Sequence, residues 1–353
     1  MVESGDLAVS MIPSSPTLQL EAVADSLKKM GYTAVGVGPM DIRFGENYYK
    51  VLKARGVPIV HADIVEHDGA LPYLVKLIDG VKVGVVSFGG VPSERKNSFE
   101  LIKQRYRAFM EARRSSDVLV LLDQANVATD DWLQRNGTRF GSPDVVIGGA
   151  TRASVPGSKQ VGQTMVVQTN TMGQYVGRID IDITATERKM TCSRQLLDQS
   201  IADDPDVLKI VREYYSRGTA SVSSGSLPGT YTGTFHSYET CTGCHKPEYE
   251  QWKTTKHAMA LRTLLEKGKA VADCLPCHSE QYKRTMRVVI REGQAGSVEC
   301  ESCHSNVIPH TVDYRRKGDT AAIRGTCPTC HTKERSPDFD PAAYYKRVEH
   351  TSK

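Results

Sequence analysis

The chain has 353 residues, of which 39% are hydrophobic and 24% charged, with a mean hydropathy of −0.37. That balance excludes an intrinsically disordered chain, and no apolar run approaches the roughly 18 residues needed to cross a bilayer. Lysine and arginine number 45 against 41 acidic residues, a net charge of +4 that is too small a bias to imply nucleic-acid binding.

In chain order, residues 16–184 alternate between helical and strand patterns. The periodicity predicts a helix over 16–30, a strand over 33–37, a helix over 46–54 and a strand over 58–64. Strands follow at 81–88, 118–122 and 145–147, separated by helices near 98–114 and 129–135, and a hairpin near 175–196 closes the domain. Interleaved apolar strands and amphipathic helices predict a layered α/β domain over 1–217. Residues 218–233 are rich in Gly and Ser and read as a flexible linker, leaving 234–353 as a second domain.

The two parts differ in chemistry. Eight of the nine cysteines lie between Cys241 and Cys330, and from Gly233 onward 19 basic face 15 acidic residues. These cysteines form four equal frames, each followed by histidine: Cys241-x-x-Cys244-His245, Cys274-x-x-Cys277-His278, Cys300-x-x-Cys303-His304 and Cys327-x-x-Cys330-His331. C-x-x-C-H is the haem c attachment frame. Two thiols at that spacing can form thioethers to the two vinyl groups of one haem, and the next residue then lies beneath the iron as proximal ligand. Zinc sites also use C-x-x-C pairs, but they do not require a histidine after each pair, and disulfide scaffolds ignore histidine. Histidine is 10 of 353 residues, so four chance placements carry a probability of roughly 10⁻⁶, which decides for four haem c groups.

Four histidines of this region lie outside the frames: His236, His257, His310 and His350. Four irons with two axial ligands each need four more ligands, so these are the candidate distal ligands. The alternative leaves one iron open, or ligated by Met259 or Met286. About 30 residues per haem is too few for a large side-chain core, so the porphyrins are expected to form the core, with sparse helical structure. Pro247, Tyr249, Trp252, His257, Leu261 and Leu264 read as one helix presenting His257, and a short helix over 341–348 is expected to deliver His350. Lys and Arg would partner the haem propionates.

The runs Tyr231-Thr-Gly233, Cys241 to Trp252 and Lys256-His257-Ala-Met-Ala260 resemble the opening of the tetrahaem cytochromes c typified by the electron carrier of nitrifier hydroxylamine oxidation. Cys300 to His304 with His310 is similar to that family's third haem segment, where a histidine after a Gly-Pro-Gly turn is a distal ligand; here Ser305-Asn-Val-Ile-Pro309 replaces the turn. Cys327 to His331, Ser336-Pro-Asp-Phe339 and His350 also resemble family members. The resemblance covers roughly 230–353 and implies electron transfer, with one haem five-coordinate in some relatives.

Segments of the first half resemble the metallophosphoesterase domain of 5′-nucleotidases: Gly5-Asp6, Gly31 to Gly38, Phe44-Gly45, Pro58 to Asp63, Gly80 to Val86, Asp144 to Gly149 and Tyr175 to Asp180. The family's catalytic positions are replaced. Gly38-Pro39-Met40-Asp41 stands for Gly-Asn-His-Glu, Asp123-Gln124 for Ser-His, and Gly148 to Arg152 for Gly-Gly-His-Ser-His. The first Asp-x-His segment is missing, so only Asp6 of the expected ligands remains. A two-metal phosphoesterase needs many more, and the resemblance therefore implies a noncatalytic scaffold. His61 reads as a packed strand residue, His67 as a loop residue and Cys192 as an inert hairpin side chain.

Met1-Val-Glu-Ser-Gly-Asp6 lacks the basic start and apolar stretch of a signal peptide. Haem c is attached outside the cytoplasmic membrane in bacteria, so a periplasmic or extracellular protein in mature or trimmed form is expected, with a lipid anchor lost with the leader as one option. The expected function is conduction of electrons along four haems to redox partner proteins or other multihaem cytochromes, without catalysis. Heterologous contacts through His236 or His350 would build a filament of like chains. The alternative is a haem-based oxidoreductase acting on a small nitrogen or sulfur species at one open iron.

Overall fold

The structure is a computed structural model describing residues 1–7, 16–63, 69–89, 98–148, 157–168, 173, 175–184, 188–198, 200–223, 234–271, 273–288, 290–291, 294–295, 297–304, 320–333 and 335–350. It divides into two compact units, one holding Pro16–Val211 with the N-terminal strand and the other holding Arg212 onward. The first is layered α/β and the second is built of short helices.

In the first unit, strands β1 (Val2–Glu3), β2 (Ala34–Val35), β3 (Ile59–Val60) and β4 (Ala70–Leu71) form one parallel sheet in that order. Helices α1 (Pro16–Lys29) and α2 (Glu46–Ala54) pack on it, burying Leu20, Leu27, Tyr48 and Leu52 against Val35 and Ile59. The second sheet has the order β5-β6-β7-β8-β10-β9, with β5 at Tyr73–Ile78, β6 at Val81–Phe88, β7 at Val118–Asp123, β8 at Val145–Gly148, β9 at Gly157–Val161 and β10 at Thr164–Gln168. Its centre, β6 to β8 and β10, is parallel. Parallel strands covered on both faces read as continuous apolar runs, which is why Val118-Leu-Val-Leu-Leu122 does not alternate.

Helix α3 (Phe99–Ser115) starts where the Ser98 hydroxyl accepts the Leu101 amide at 3.3 Å, and α4 (Asp130–Phe140) where Thr129 accepts from Trp132 at 3.2 Å. Ala108, Phe109 and Ala112 of α3 meet Val86, Phe88 and Leu121 in the core. The hairpin of β11 (Tyr175–Ile183) and β12 (Arg188–Leu196) pairs Ile179 with Cys192, and both pack toward Val145, Met165 and Val167.

Several elements depart from the sequence expectations. Strands expected over 33–37 and 58–64 are two residues long among the described residues, Ala34–Val35 and Ile59–Val60; past them the Ala62 amide turns to the Ser87 carbonyl of the second sheet, and residue 64 lies outside the described residues. Residues 218–223, assigned to a linker, are the end of helix α5 (Pro205–Ser223); Gly218 lets the helix approach Val271 so closely that an added Cβ would lie 2.4 Å from its Cγ1. Residues 224–233 and His67 lie outside the described residues.

In the second unit, the expected single helix around His257 is three pieces: α6 (Tyr238–Thr242) leads to α7 (Lys246–Trp252), a 3-10 turn at His257–Met259 and α8 (Ala260–Glu266). The Thr254 and Thr255 hydroxyls donate to the carbonyls of Gln251 and Trp252 and help divert the chain. Further short helices are α9 (Leu275–His278), α10 (Glu280–Thr285), α11 (Cys300–His304), α12 (Thr320–Thr326) and α13 (Pro341–Tyr345), the last ending three residues earlier than expected. A side-chain core was not expected here, yet Val222, Leu261, Leu264, Leu275, Tyr282 and Val288 bury one another around the second cysteine frame. No helix among the described residues is long and apolar enough to cross a membrane.

Candidate functional site

Each cysteine frame occupies one helical turn. In the first, the Cys241 carbonyl accepts the amides of Cys244 and His245 at 3.2 and 2.9 Å; in the fourth, Cys327 accepts from Cys330 and His331 at 3.2 and 3.0 Å. Residues i, i+3 and i+4 of a turn share a face, so both thiols and the histidine of a frame point the same way. The second and third frames lie on α9 and α11.

The histidines meet across the fold. The ring centres of His257 and His331 are 6.2 Å apart, and those of His304 and His350 are 6.1 Å apart. Two imidazoles on opposite sides of one metal, each with a metal–nitrogen bond of ~2 Å, have ring centres about 6 Å apart. The two ring separations match that spacing, with the rings tilted by 46° in the first pair and nearly parallel, at 13°, in the second.

Ring orientation is set from the other nitrogen. Nδ1 of His331 is 3.1 Å from the Ser336 hydroxyl, Nδ1 of His278 is 3.0 Å from the Ala260 carbonyl, and Nδ1 of His350 is 2.7 Å from the Gln251 side-chain oxygen. A histidine anchored through Nδ1 offers Nε2 to a metal, and the acceptor oxygens of Ala260 and Gln251 place the proton on Nδ1 of His278 and His350. Phe339 stacks on His331 at 4.4 Å and adds a second constraint. Burial holds His257, His304 and His350 below the ordinary histidine range, with His331 and His350 the next influences on His257 and His304. Neutral imidazole is the ligating form. Ser336, Gln251, Phe339 and the Ala260 carbonyl were not foreseen as anchors, since nothing in the sequence shows what lies beside a ring.

His236 is placed differently. Its amide donates to Glu301 at 3.0 Å and its Nδ1 lies 3.1 Å from the same carboxylate; among the described residues no second histidine ring meets it. His310, with Ser305 to Pro309, lies outside the described residues. Of the four distal candidates, the structure thus brings His257 and His350 to a frame histidine.

Cysteines of different frames also meet. Cys241 is lowered to about 7 by its hydrogen bond with Cys300, and Cys330 to about 6 by its bond with Cys277, while Cys300 and Cys277 rise. Cys303 is pushed up to about 11 by burial and then by the nearby Cys327.

Between the first and third frames lie three buried carboxylates, Glu280, Glu299 and Glu301. Arg284 pairs with Glu280 at 2.6 Å and with Glu301 at 3.3 Å, and the Tyr238 amide donates to Glu299 at 2.7 Å. Burial pushes Glu299 up from its ordinary 4.5 to about 7. A carboxyl whose folded pKa lies above its unfolded one stabilises when protonated, and that contribution is lost as the pH rises through the folded value. Glu299→Gln is accordingly expected to flatten the fall in melting temperature between pH 4.5 and 7; a melt profile as steep as that of the parent would count against it.

In the first unit the residues in question collect at the carboxyl ends of the parallel strands, where open α/β sheets bind ligands. They are engaged with the chain itself. Both Asp63 oxygens accept from Arg105, each at 2.6 Å, and one also accepts the Gly89 amide at 2.9 Å. Asp123 accepts the amides of Val127 and Ala128 at 3.1 and 2.7 Å. Asp41 accepts the amides of Asp6 and Gly38 at 2.7 and 2.8 Å, and Asp6 accepts from Met40 at 2.7 Å. The Gln124 side chain donates to Ser4 Oγ and the Gly5 carbonyl, and His61 is buried beside the Tyr49 hydroxyl at 3.0 Å. Among the described residues no group of three or more His, Cys, Asp or Glu is arranged to hold a metal ion. This donor set does not fit two divalent metals. Residues 149–152 lie outside the described residues.

The comparisons with known proteins follow this geometry. Residues 240–305 match the family described as cytochrome c554 and c-prime. That match takes in the first three cysteine frames and implies covalently bound haem c with its iron. Cytochrome c-554 of Nitrosomonas europaea is 28% identical over 102 residues, covering 24% of this chain and 43% of that protein. The chain thus spans less than half the length of the curated relative. Solved structures similar to the α/β part include the sulfate thiohydrolase SoxB of Thermus thermophilus, at a TM-score of 0.49 and 17% identity over 63% of this chain and 43% of that one. A 5′-nucleotidase precursor of Thermus thermophilus aligns at 0.49 and 18% over 63% of this chain and 50% of that one.

Proposed function

We propose that this chain is a tetrahaem c-type cytochrome that conducts electrons outside the cytoplasmic membrane, with its α/β unit a noncatalytic scaffold for docking or assembly. The observation that carries the reading is the pair of histidine gaps, His257 to His331 and His304 to His350, at 6.2 and 6.1 Å. Each bound haem c supplies one iron that gains or loses a single electron. The chain's residues do the rest. The cysteine pairs would tether the haems, His257 with His331 and His304 with His350 would hold the iron, and Ser336, Gln251 and the Ala260 carbonyl would orient the His331, His350 and His278 rings.

The intact mass of the purified chain is expected to exceed its sequence mass by four haems, and removal of both cysteines of one frame to lower that count by one. A count below four in the parent overturns the tetrahaem reading. No metal-dependent phosphoesterase activity is expected from the α/β unit, on the support of the Asp63–Arg105 ion pair.

The second reading is an oxidoreductase with one open iron. Among the described residues no frame histidine ring meets His236, whose Nδ1 bond to Glu301 leaves Nε2 without a facing partner ring, and that favours it. A high-spin signal from one iron in four of the oxidised protein would select it over pure conduction.

A further inference from the structure

Helix α5 and the turn after α8 enclose a cleft of about 540 Å³ within the second unit, lined by Arg212, Tyr215, Ser216, Thr219, Lys267 and Lys269 among others. Arg212, Ser216 and Thr219 recur at helical spacing on one face of α5. Opposite them, Gly268 takes a left-handed conformation at φ +60°, which turns the chain so that Lys267 and Lys269 flank the same space.

Three cations border this cleft, and among the described residues no carboxylate pairs with any of them. Lys269 lies over the Tyr215 ring at 5.6 Å, a contact that leaves its charge uncompensated. The neighbouring carboxylate, Asp273, is engaged by the Tyr214 hydroxyl at 2.8 Å. Like charges held together repel, and an anion entering between them relieves the repulsion. Ser216 and Tyr215 add hydroxyl donors, while Thr219 is already an acceptor for the Ala270 amide at 3.1 Å. The volume falls in the range of small-molecule sites, roughly 300–1,000 Å³.

We propose that this cleft is a binding site for a small polyanion bearing phosphate groups, read by Arg212, Lys267 and Lys269. The site stands beside the second cysteine frame, since Val222 of α5 packs in one cluster with Leu275 of that frame. Occupancy would therefore place negative charge near that frame. The proposal does not depend on the conductive reading.

The test is calorimetric titration of the full-length, haem-loaded chain with inorganic pyrophosphate, at low and at physiological ionic strength. One saturable site is expected, at least tenfold weaker in Arg212→Gln/Lys267→Gln and weaker at the higher ionic strength. Unchanged melting and visible spectra of the variant show that it folds. Adenosine diphosphate in place of pyrophosphate distinguishes a nucleotide from free phosphate: tighter binding selects the nucleotide, and equal binding the phosphate alone. Lys189→Gln, on the hairpin of the other unit, should bind as the parent does. Absence of saturable binding overturns the proposal, as it would if carboxylates of the haem at Cys274 already neutralised the cleft. So does an equal loss in Lys189→Gln, which would mean attraction by net charge only.

Discussion

Arg105→Met is expected to destabilise the α/β unit by about 3–5 kcal/mol, the usual cost of removing one partner of a buried ion pair. The Asp63 side chain is wholly buried and that of Arg105 is 11% exposed. Without the guanidinium, the carboxylate keeps, among the described residues, the Gly89 amide. Burial raises the Asp63 pKa and Arg105 is the main opposing influence, so the variant's carboxyl should hold its proton to still higher pH. The deficit is then largest near neutral pH and shrinks on acidification, as protonation removes the buried charge. Asp63→Asn combined with Arg105→Met removes both charges and should recover most of the loss. Urea unfolding followed by circular dichroism measures all three. A single variant as stable as the parent would show that Arg105 is not the counter-charge the fold depends on. The same pair places a guanidinium against one of the carboxylates at the strand ends.

The second large effect concerns the histidine gaps. His257→Ala should convert one iron in four from low to high spin in the oxidised protein, and His350→Ala another, with the double variant showing both. Each variant opens a coordination position, so each should also bind a small exogenous ligand such as imidazole, with recovery of the low-spin spectrum. Electron paramagnetic resonance reads the spin change. If His257→Ala leaves the spectrum untouched, the 6.2 Å approach to His331 is a packing contact only. The anchors bear on the same measurement: Gln251 holds His350 through Nδ1, and Phe339 with Ser336 holds His331. Their loss should broaden the signals without abolishing ligation, because a loosened ring still reaches the iron.

The frames themselves were legible because their geometry is local. A cysteine, its partner three residues on and the following histidine lie within one helical turn, and no distant contact is needed to place them. The same locality made α2, β6, β7 and the 175–196 hairpin readable, where periodicity and burial agree. It failed at His257. Threonines at 254 and 255 turn toward the preceding carbonyls and break an otherwise good apolar period into three pieces. It failed also at 218–223, where small and polar residues suggest a linker but Gly218 serves a close helix approach to Val271.

By itself the sequence determined the four C-x-x-C-H frames, each closed by a histidine, and the alternation that makes the first unit α/β. Only the tertiary structure decided which histidine faces which frame, that Glu301 takes His236, and that Arg105 fills the acidic strand ends. The reason is physical. Covalent tethering and secondary structure depend on neighbours within a few residues, whereas axial pairing and charge compensation depend on residues far apart in the chain that meet when the fold closes.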